Sequence, residues 1–312
     1  MARAAWKRVP FSRRWRISRA VRLAAGFSRT DRFCWSVMRS FLFVPGIRPE
    51  RFNKALASGA DAVILDLEDA VAEPDKARAR QHVADAADAL VASKARVLLR
   101  VNGFGTPWFD DDLALLALDG IDGVVLPKAE SAAALEAVAR VTSKPIFPLI
   151  ESALGVWQVL EVARAPGVER LVFGSVDFEL DLDCSGSSKA LLYARSRIVL
   201  ASRVAGLLPP VDGVTVALDD AGQLATDAAT ARDLGFGGKL CIHPKQIAQV
   251  NAAFSPSEEQ LAKARVVVEA FARAGGGAVS VDGRMVDLPV LLKAKRLLAM
   301  SAASSTHASG SE

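Results

Sequence analysis

Eight short aliphatic or β-branched runs recur along the chain from residue 40, at 40–46 (SFLFVPG), 62–69 (AVILDLED), 97–103 (VLLRVNG), 123–130 (GVVLPKAE), 146–152, 170–178, 211–218 (VDGVTVAL) and 237–244 (GGKLCIHP). Each is too short for a helix and apolar enough for a strand covered on both faces, and longer Ala-rich segments lie between them. Alternation of this kind builds βα units whose strands run parallel, and eight such units close most naturally into a ring of strands wrapped by helices, a TIM (β/α)8 barrel of the α/β class. The spacing predicts helices opened by Pro49, near 75–93, after Ser131 and near 188–206.

The pattern fills residues 38–254 and then breaks. Ser255-Pro256-Ser257-Glu258-Glu259 is a helix-start signal; the helix it opens should run to about Ala274. A Gly-rich turn, a hairpin-like VDGRMVDLP and a last helix near 289–300 follow. This C-terminal helical appendage, 255–300, is too small for a core of its own, so it must pack on the barrel or on a neighbouring subunit, as a segment exchanged in a homo-oligomer. The Ser/Ala-rich tail 301–312 is expected to be disordered.

Charge is divided unevenly. Residues 1–37 hold ten Lys or Arg and one acid, Asp31, leaving 29 basic and 34 acidic residues on the remainder. The basic excess is therefore not on the fold, which argues against a nucleic-acid partner. The leader's composition suits an organellar transit peptide, which would lead to the mitochondrial matrix, and equally a disordered extension ahead of Met38. No run approaches the length needed to span a membrane. Cys34, Cys184 and Cys241 have no paired spacing, so neither a disulfide framework nor a structural zinc site is expected, and a reducing compartment such as the cytoplasm fits.

Polar residues gather at the carboxyl ends of the runs, the end where barrel enzymes keep their reactive groups. Glu151 ends one run and Asp177 the next. Two carboxylates converging there would repel unless a cation or proton lay between them, which points to a hard divalent metal. Asp66, Glu68 and Asp69 end the second run, Arg100 and Asn102 the third, Lys128 the fourth and His243 the eighth. Arg100, inside an apolar run, needs an anion: either substrate or a structural bridge to Glu68. Lys128 could form a Schiff base if its pKa were depressed, and His243, followed by Pro, could serve chemistry or only pin a turn.

The strings SFLFVPGIRPERFNKAL, AVILDLEDAV, LLRVNG, VVLPKAES, PLIESALG, FGSVDFELDLD and GKLCIHPKQI, in this order over about 39–300, resemble the citrate lyase beta-subunit family of CoA-ester lyases, grouped with malyl-CoA lyase among magnesium-dependent aldolases. The resemblance implies a Mg2+ ion on Glu151 and Asp177 and a substrate-binding Arg100. It implies support of metal-bound waters by Glu68 and Asp69, and CoA phosphates or a substrate carboxylate near Arg48. It also implies an acid, Asp287, presented to the active site of an adjacent subunit in a trimer or its multiple. Asp183 departs from the pattern where relatives commonly carry Gly, as does Val176 where they are often polar or small, and the loop CSGSSKAL after Asp183 is expected to take another path and alter substrate choice.

The reaction so implied is retro-Claisen cleavage of a 3-hydroxyacyl-CoA thioester, citryl-CoA or malyl-CoA in type, to acetyl-CoA or an analogue plus a 2-oxo acid, with Asp287 shuttling the proton. A CoA thioesterase, a synthetic reaction on the same site and a non-catalytic subunit are the alternatives.

Overall fold

In a computed structural model of the chain, residues 38–274, 277–281 and 283–309 are described; the basic leader, with Asp31 and Cys34, lies outside them. All eight runs are strands: β1 (Ser40–Pro45), β2 (Ala62–Asp66), β3 (Arg96–Arg100), β4 (Gly123–Leu126), β5 (Ile146–Ile150), β6 (Val172–Phe173), β7 (Val211–Asp212) and β8 (Gly238–Cys241). They form one closed barrel in chain order, every neighbour parallel, with β8 completing the ring against β1. β7 is brief because Pro209 and Pro210, which have no N–H to give a ladder, precede it.

Side chains follow the two-residue period of a strand. Ala62 and Ile64 of β2, Leu98 of β3 and Phe147 and Leu149 of β5 join Phe41, Val125, Val172, Val211 and Leu240 in a plug inside the barrel. The alternate set, including Leu42, Val63, Leu65, Val97, Leu99 and Val124, packs outward against the helices. Carried one step further toward the carboxyl ends, the inward series reaches Asp66, Arg100 and Glu151. The same alternation that fills the barrel thus delivers its charged residues to one mouth. At the other end Arg170 is fully buried, donating to the carbonyls of Pro209 and Met38 and stacked 5.2 Å over Phe41.

The expected helix near 75–93 is two, Lys76–Asp85 and Ala87–Val91, and the later ones are Ala132–Val141, Ala153–Arg164 and Leu192–Ala205. The appendage holds Glu258–Arg273, opened by Ser257 in a reciprocal capping box with Gln260, then an antiparallel pair β9 (Val279–Val281) and β10 (Arg284–Val286). Its last helix runs Leu288–Ser309, so the tail expected to be disordered from 301 is helical through Ser309. Ala and Ser following a formed helix extend it at little cost. The two long helices pack on each other, while Met285, Leu288 and Leu292 remain exposed.

Candidate active site

Asp66 and Arg100 face each other across paired positions of β2 and β3. Nε and Nη2 of Arg100 each donate to one oxygen of Asp66 at 2.6 Å. Its Nη1 lies 3.0 Å from Glu68 Oε2, an ion pair without hydrogen-bond alignment, and donates to Asp69 at 3.4 Å. The guanidinium is therefore committed to acids on three sides, and the structural bridge foreseen for it is real, with Asp66 as the main partner. Arg100 still lines the cavity described below.

Glu68 is buried between Arg100 and Lys128, whose ammonium it binds on its other oxygen. Burial raises its pKa against the pull of both cations. Lys128 is itself pulled down by burial, but Glu68, Asp69 and Glu151 outweigh this and hold it above its ordinary value. A firmly protonated lysine is not a nucleophile, so the Schiff-base chemistry considered for Lys128 is disfavoured. Its backbone is unusual, with φ 49°, and from that conformation its N–H donates 2.7 Å to Glu151 Oε1.

The other oxygen of Glu151, Oε2, is buried with no hydrogen-bond partner. Burial first, then the nearby charges of Glu68 and Asp177, push its pKa up to about 8. Gly174 makes room for it: a Cβ there would stand 2.6 Å from Oε2. Asp177 does not end a strand as expected. β6 stops at Phe173, and the chain turns at Gly174 into a helix, Ser175–Asp181, whose first turn carries Asp177. That turn still brings it to the mouth, because Glu151 and Asp177 line one cavity of about 810 Å3 with Asp66, Asp69 and Arg100. Asp181 ties the two together by accepting from Ala153 N–H at 2.7 Å.

The hard oxygen donors, the orphaned buried oxygen and the mutual repulsion of two neighbouring acids fit a hydrated divalent ion of the magnesium kind, which takes one or two protein carboxylates and keeps open positions. Among the described residues no group of three or more His, Cys, Asp or Glu could hold a metal.

Of the other expected residues, Arg48 and Asp287 lie off this cavity and His243 lies on it. Arg48 turns to Glu50 at 2.5 Å with about half its side chain exposed, and does not line the cavity. Proline at 49 starts a tight turn that carries Arg51 and Lys54 to the cavity instead; a one-turn shift on an unformed helix is invisible in a string such as IRPERFNK. Asp287 caps the last helix, accepting from Val290 N–H at 3.2 Å, and lies outside the cavity of its own chain. His243 lines the cavity and also pins the turn: its Nδ1 accepts from Lys245 N–H at 3.1 Å, which leaves Nε2 to carry the proton of the neutral ring.

Asp183 holds φ 50°, so it adopts the glycine-like conformation that the sequence led one to think it would avoid. Replacing it with glycine removes that strain. Asp183→Gly should raise stability by about 0.5–1 kcal/mol, seen as a higher midpoint in thermal melts; an unchanged or lower midpoint would contradict this.

The model of the HpcH/HpaI aldolase/citrate lyase family matches residues 39–244. A citrate lyase subunit beta-like protein of Deinococcus radiodurans is 40% identical over 86% of this chain and 98% of its own. From Cereibacter sphaeroides, an L-malyl-CoA/beta-methylmalyl-CoA lyase is 36% identical (82% and 92% covered) and a (3S)-malyl-CoA thioesterase 35% (85% and 95%). The crystal structure of CitE from Mycobacterium tuberculosis in complex with magnesium, acetoacetate and coenzyme A superposes with TM-score 0.74 at 36% identity, covering 86% of this chain and 99% of that one.

Fold and family comparisons together define a barrel enzyme of the carbon–carbon lyase class. The chain belongs to the HpcH/HpaI aldolase/citrate lyase family. No helix among its described residues is long and apolar enough to cross a membrane.

Proposed function

We propose that this chain is a magnesium-dependent lyase that cleaves a 3-hydroxyacyl-CoA thioester of the citryl-CoA or malyl-CoA type into acetyl-CoA, or a close analogue, and a 2-oxo acid. The observation that carries the proposal is the pair Glu151 and Asp177 on one cavity, with the Glu151 oxygen buried and unpartnered. These two would hold the ion, which when bound supplies Lewis-acid polarisation of the oxygens of the oxo-acid fragment. Arg51 and Lys54 stand on the β1 side of the mouth, across from β5 and β6, and give the CoA phosphates a cationic approach. Arg100, fixed by Asp66, offers a preorganised positive charge beside the developing oxyanion, worth on the order of 3 kcal/mol. The proton leaves the substrate hydroxyl for a carboxylate, the carbon–carbon bond breaks as that oxygen becomes the carbonyl of the 2-oxo acid, and the thioester enolate takes the proton back; Asp287 of the partner subunit is assigned that shuttle in a homo-oligomer. Mixing Asp287→Ala with Glu151→Gln protein, each inactive alone, should recover activity if sites are shared in this way.

Turnover of a panel of CoA thioesters with Mg2+, read as 2-oxo acid trapped as its hydrazone, tests the proposal. Release of free CoA with the hydroxy acid intact would favour the second reading, a thioesterase, which the similarity to the (3S)-malyl-CoA thioesterase supports.

A further inference from the structure

The acidic loop Asp66–Asp69 puts three carboxylates on four residues, and something behind it must fix where they face. Asp66 caps the loop from the front, accepting from Glu68 N–H at 2.9 Å and Ala70 N–H at 3.2 Å. From behind, Lys76 Nζ donates to two successive carbonyls, Leu67 at 2.8 Å and Glu68 at 2.7 Å. Asn102 Nδ2 adds a third bond, to the Leu67 carbonyl at 2.9 Å. Lys76 is only 6% exposed, lies 5.4 Å from the Trp108 ring centroid and has no place on the cavity wall. A lysine so buried and bonded to backbone fixes the direction of these two carbonyls, while the acids nearby, Asp66 and Glu68 first, favour its charge through space.

We infer that Lys76 is a positioning residue of the metal site: by pinning the Leu67 and Glu68 carbonyls it sets the direction in which Glu68 and Asp69 meet Arg100 and Lys128, and through them the field at Glu151. The inference rests on the magnesium reading above. Groups that orient the immediate surroundings of a metal typically change affinity or activity by about 10- to 100-fold when removed, and that is the effect expected here. A lysine that merely filled space would lower the melting midpoint and leave the Mg2+ dissociation constant alone.

The test is calorimetric titration of Mg2+ into the metal-free full-length protein, wild type and Lys76→Met, well below either melting midpoint, alongside turnover per folded enzyme. Wild type should bind, Lys76→Met should bind about 10- to 100-fold more weakly with a parallel loss in kcat, and Lys76→Gln, which keeps a neutral amide as donor, should fall between. Should Lys76→Met fail to fold, Lys76→Gln carries the comparison. Equal Mg2+ affinity and equal kcat in wild type and variant, with only the midpoint lowered, would overturn the role of Lys76 and leave the magnesium reading intact. A wild type that takes up no Mg2+ would overturn both.

Discussion

Glu151→Gln should lower turnover by roughly three orders of magnitude or more, since it removes a charge whose share in holding a catalytic cation amounts to several kcal/mol. The amide keeps the shape and can still accept from Lys128 N–H, so the loss reports charge and not collapse. The metal-free proteins should show the opposite order of stability. The folded chain holds the Glu151 pKa at about 8, against an ordinary 4.5, so between these values the folded state keeps a proton that the unfolded state has released. Stability contributed by the neutral acid is full below about 4.5 and declines as pH rises toward 8, by up to about 4 kcal/mol. Thermal melts without metal should therefore fall between pH 5 and pH 8 for wild type and fall less for Glu151→Gln. Saturating Mg2+ should stabilise the wild type at pH 8, by about 2.7 kcal/mol at a hundredfold excess over its dissociation constant, raising its midpoint and leaving the variant unmoved. An active Glu151→Gln enzyme, or a variant that Mg2+ stabilises as it does wild type, would count against the metal role.

Arg100→Met should destabilise the fold by about 3–5 kcal/mol, because it strands Asp66 in the barrel mouth without its cation. Asp66 is 1% exposed and takes two 2.6 Å bonds from the guanidinium. For a domain of this size that is a drop of roughly 10 °C in midpoint. The double variant Arg100→Met/Asp66→Asn should recover more than half of the loss, since the amide needs no counter-charge, yet it should remain inactive because the preorganised positive charge is gone. Additive losses in the double variant would show that the two side chains act independently, contrary to the bidentate pair. Arg100→Lys should not substitute, because an ammonium cannot match both carboxylate oxygens of Asp66 at once.

The eight strands were legible because strand runs and the Ala-rich segments between them differ in length as well as in composition, and two-residue alternation carried Arg100 and Glu151 to the mouth without further information. The capping box at Ser257 and the β9–β10 turn were equally local. What stayed hidden depended on tertiary contacts or on turns. Asp177 reads as the end of a strand because RLVFGSVDF is mostly apolar, yet the tight approach of Gly174 to Glu151 ends the strand early and begins a helix. Arg48 was expected near the CoA phosphates and Arg51 drew no attention, because the 3-10 turn at Pro49 cannot be seen in residue types. Lys76 drew no attention, since a lysine at the start of an Ala- and Arg-rich helix normally points to water. Its partners are backbone carbonyls, which leave no mark in a sequence. Asp287 shows as a helix cap in one chain, and its chemistry, as proposed, needs a second.

The most direct test is a crystal grown with Mn2+ in place of Mg2+ and measured at the manganese edge. The expected result is one strong anomalous peak shared by the carboxylates of Glu151 and Asp177 and lost in Glu151→Gln crystals. A peak bound by other residues, or none between these two at saturating Mn2+, would contradict the metal site and the lyase mechanism built on it.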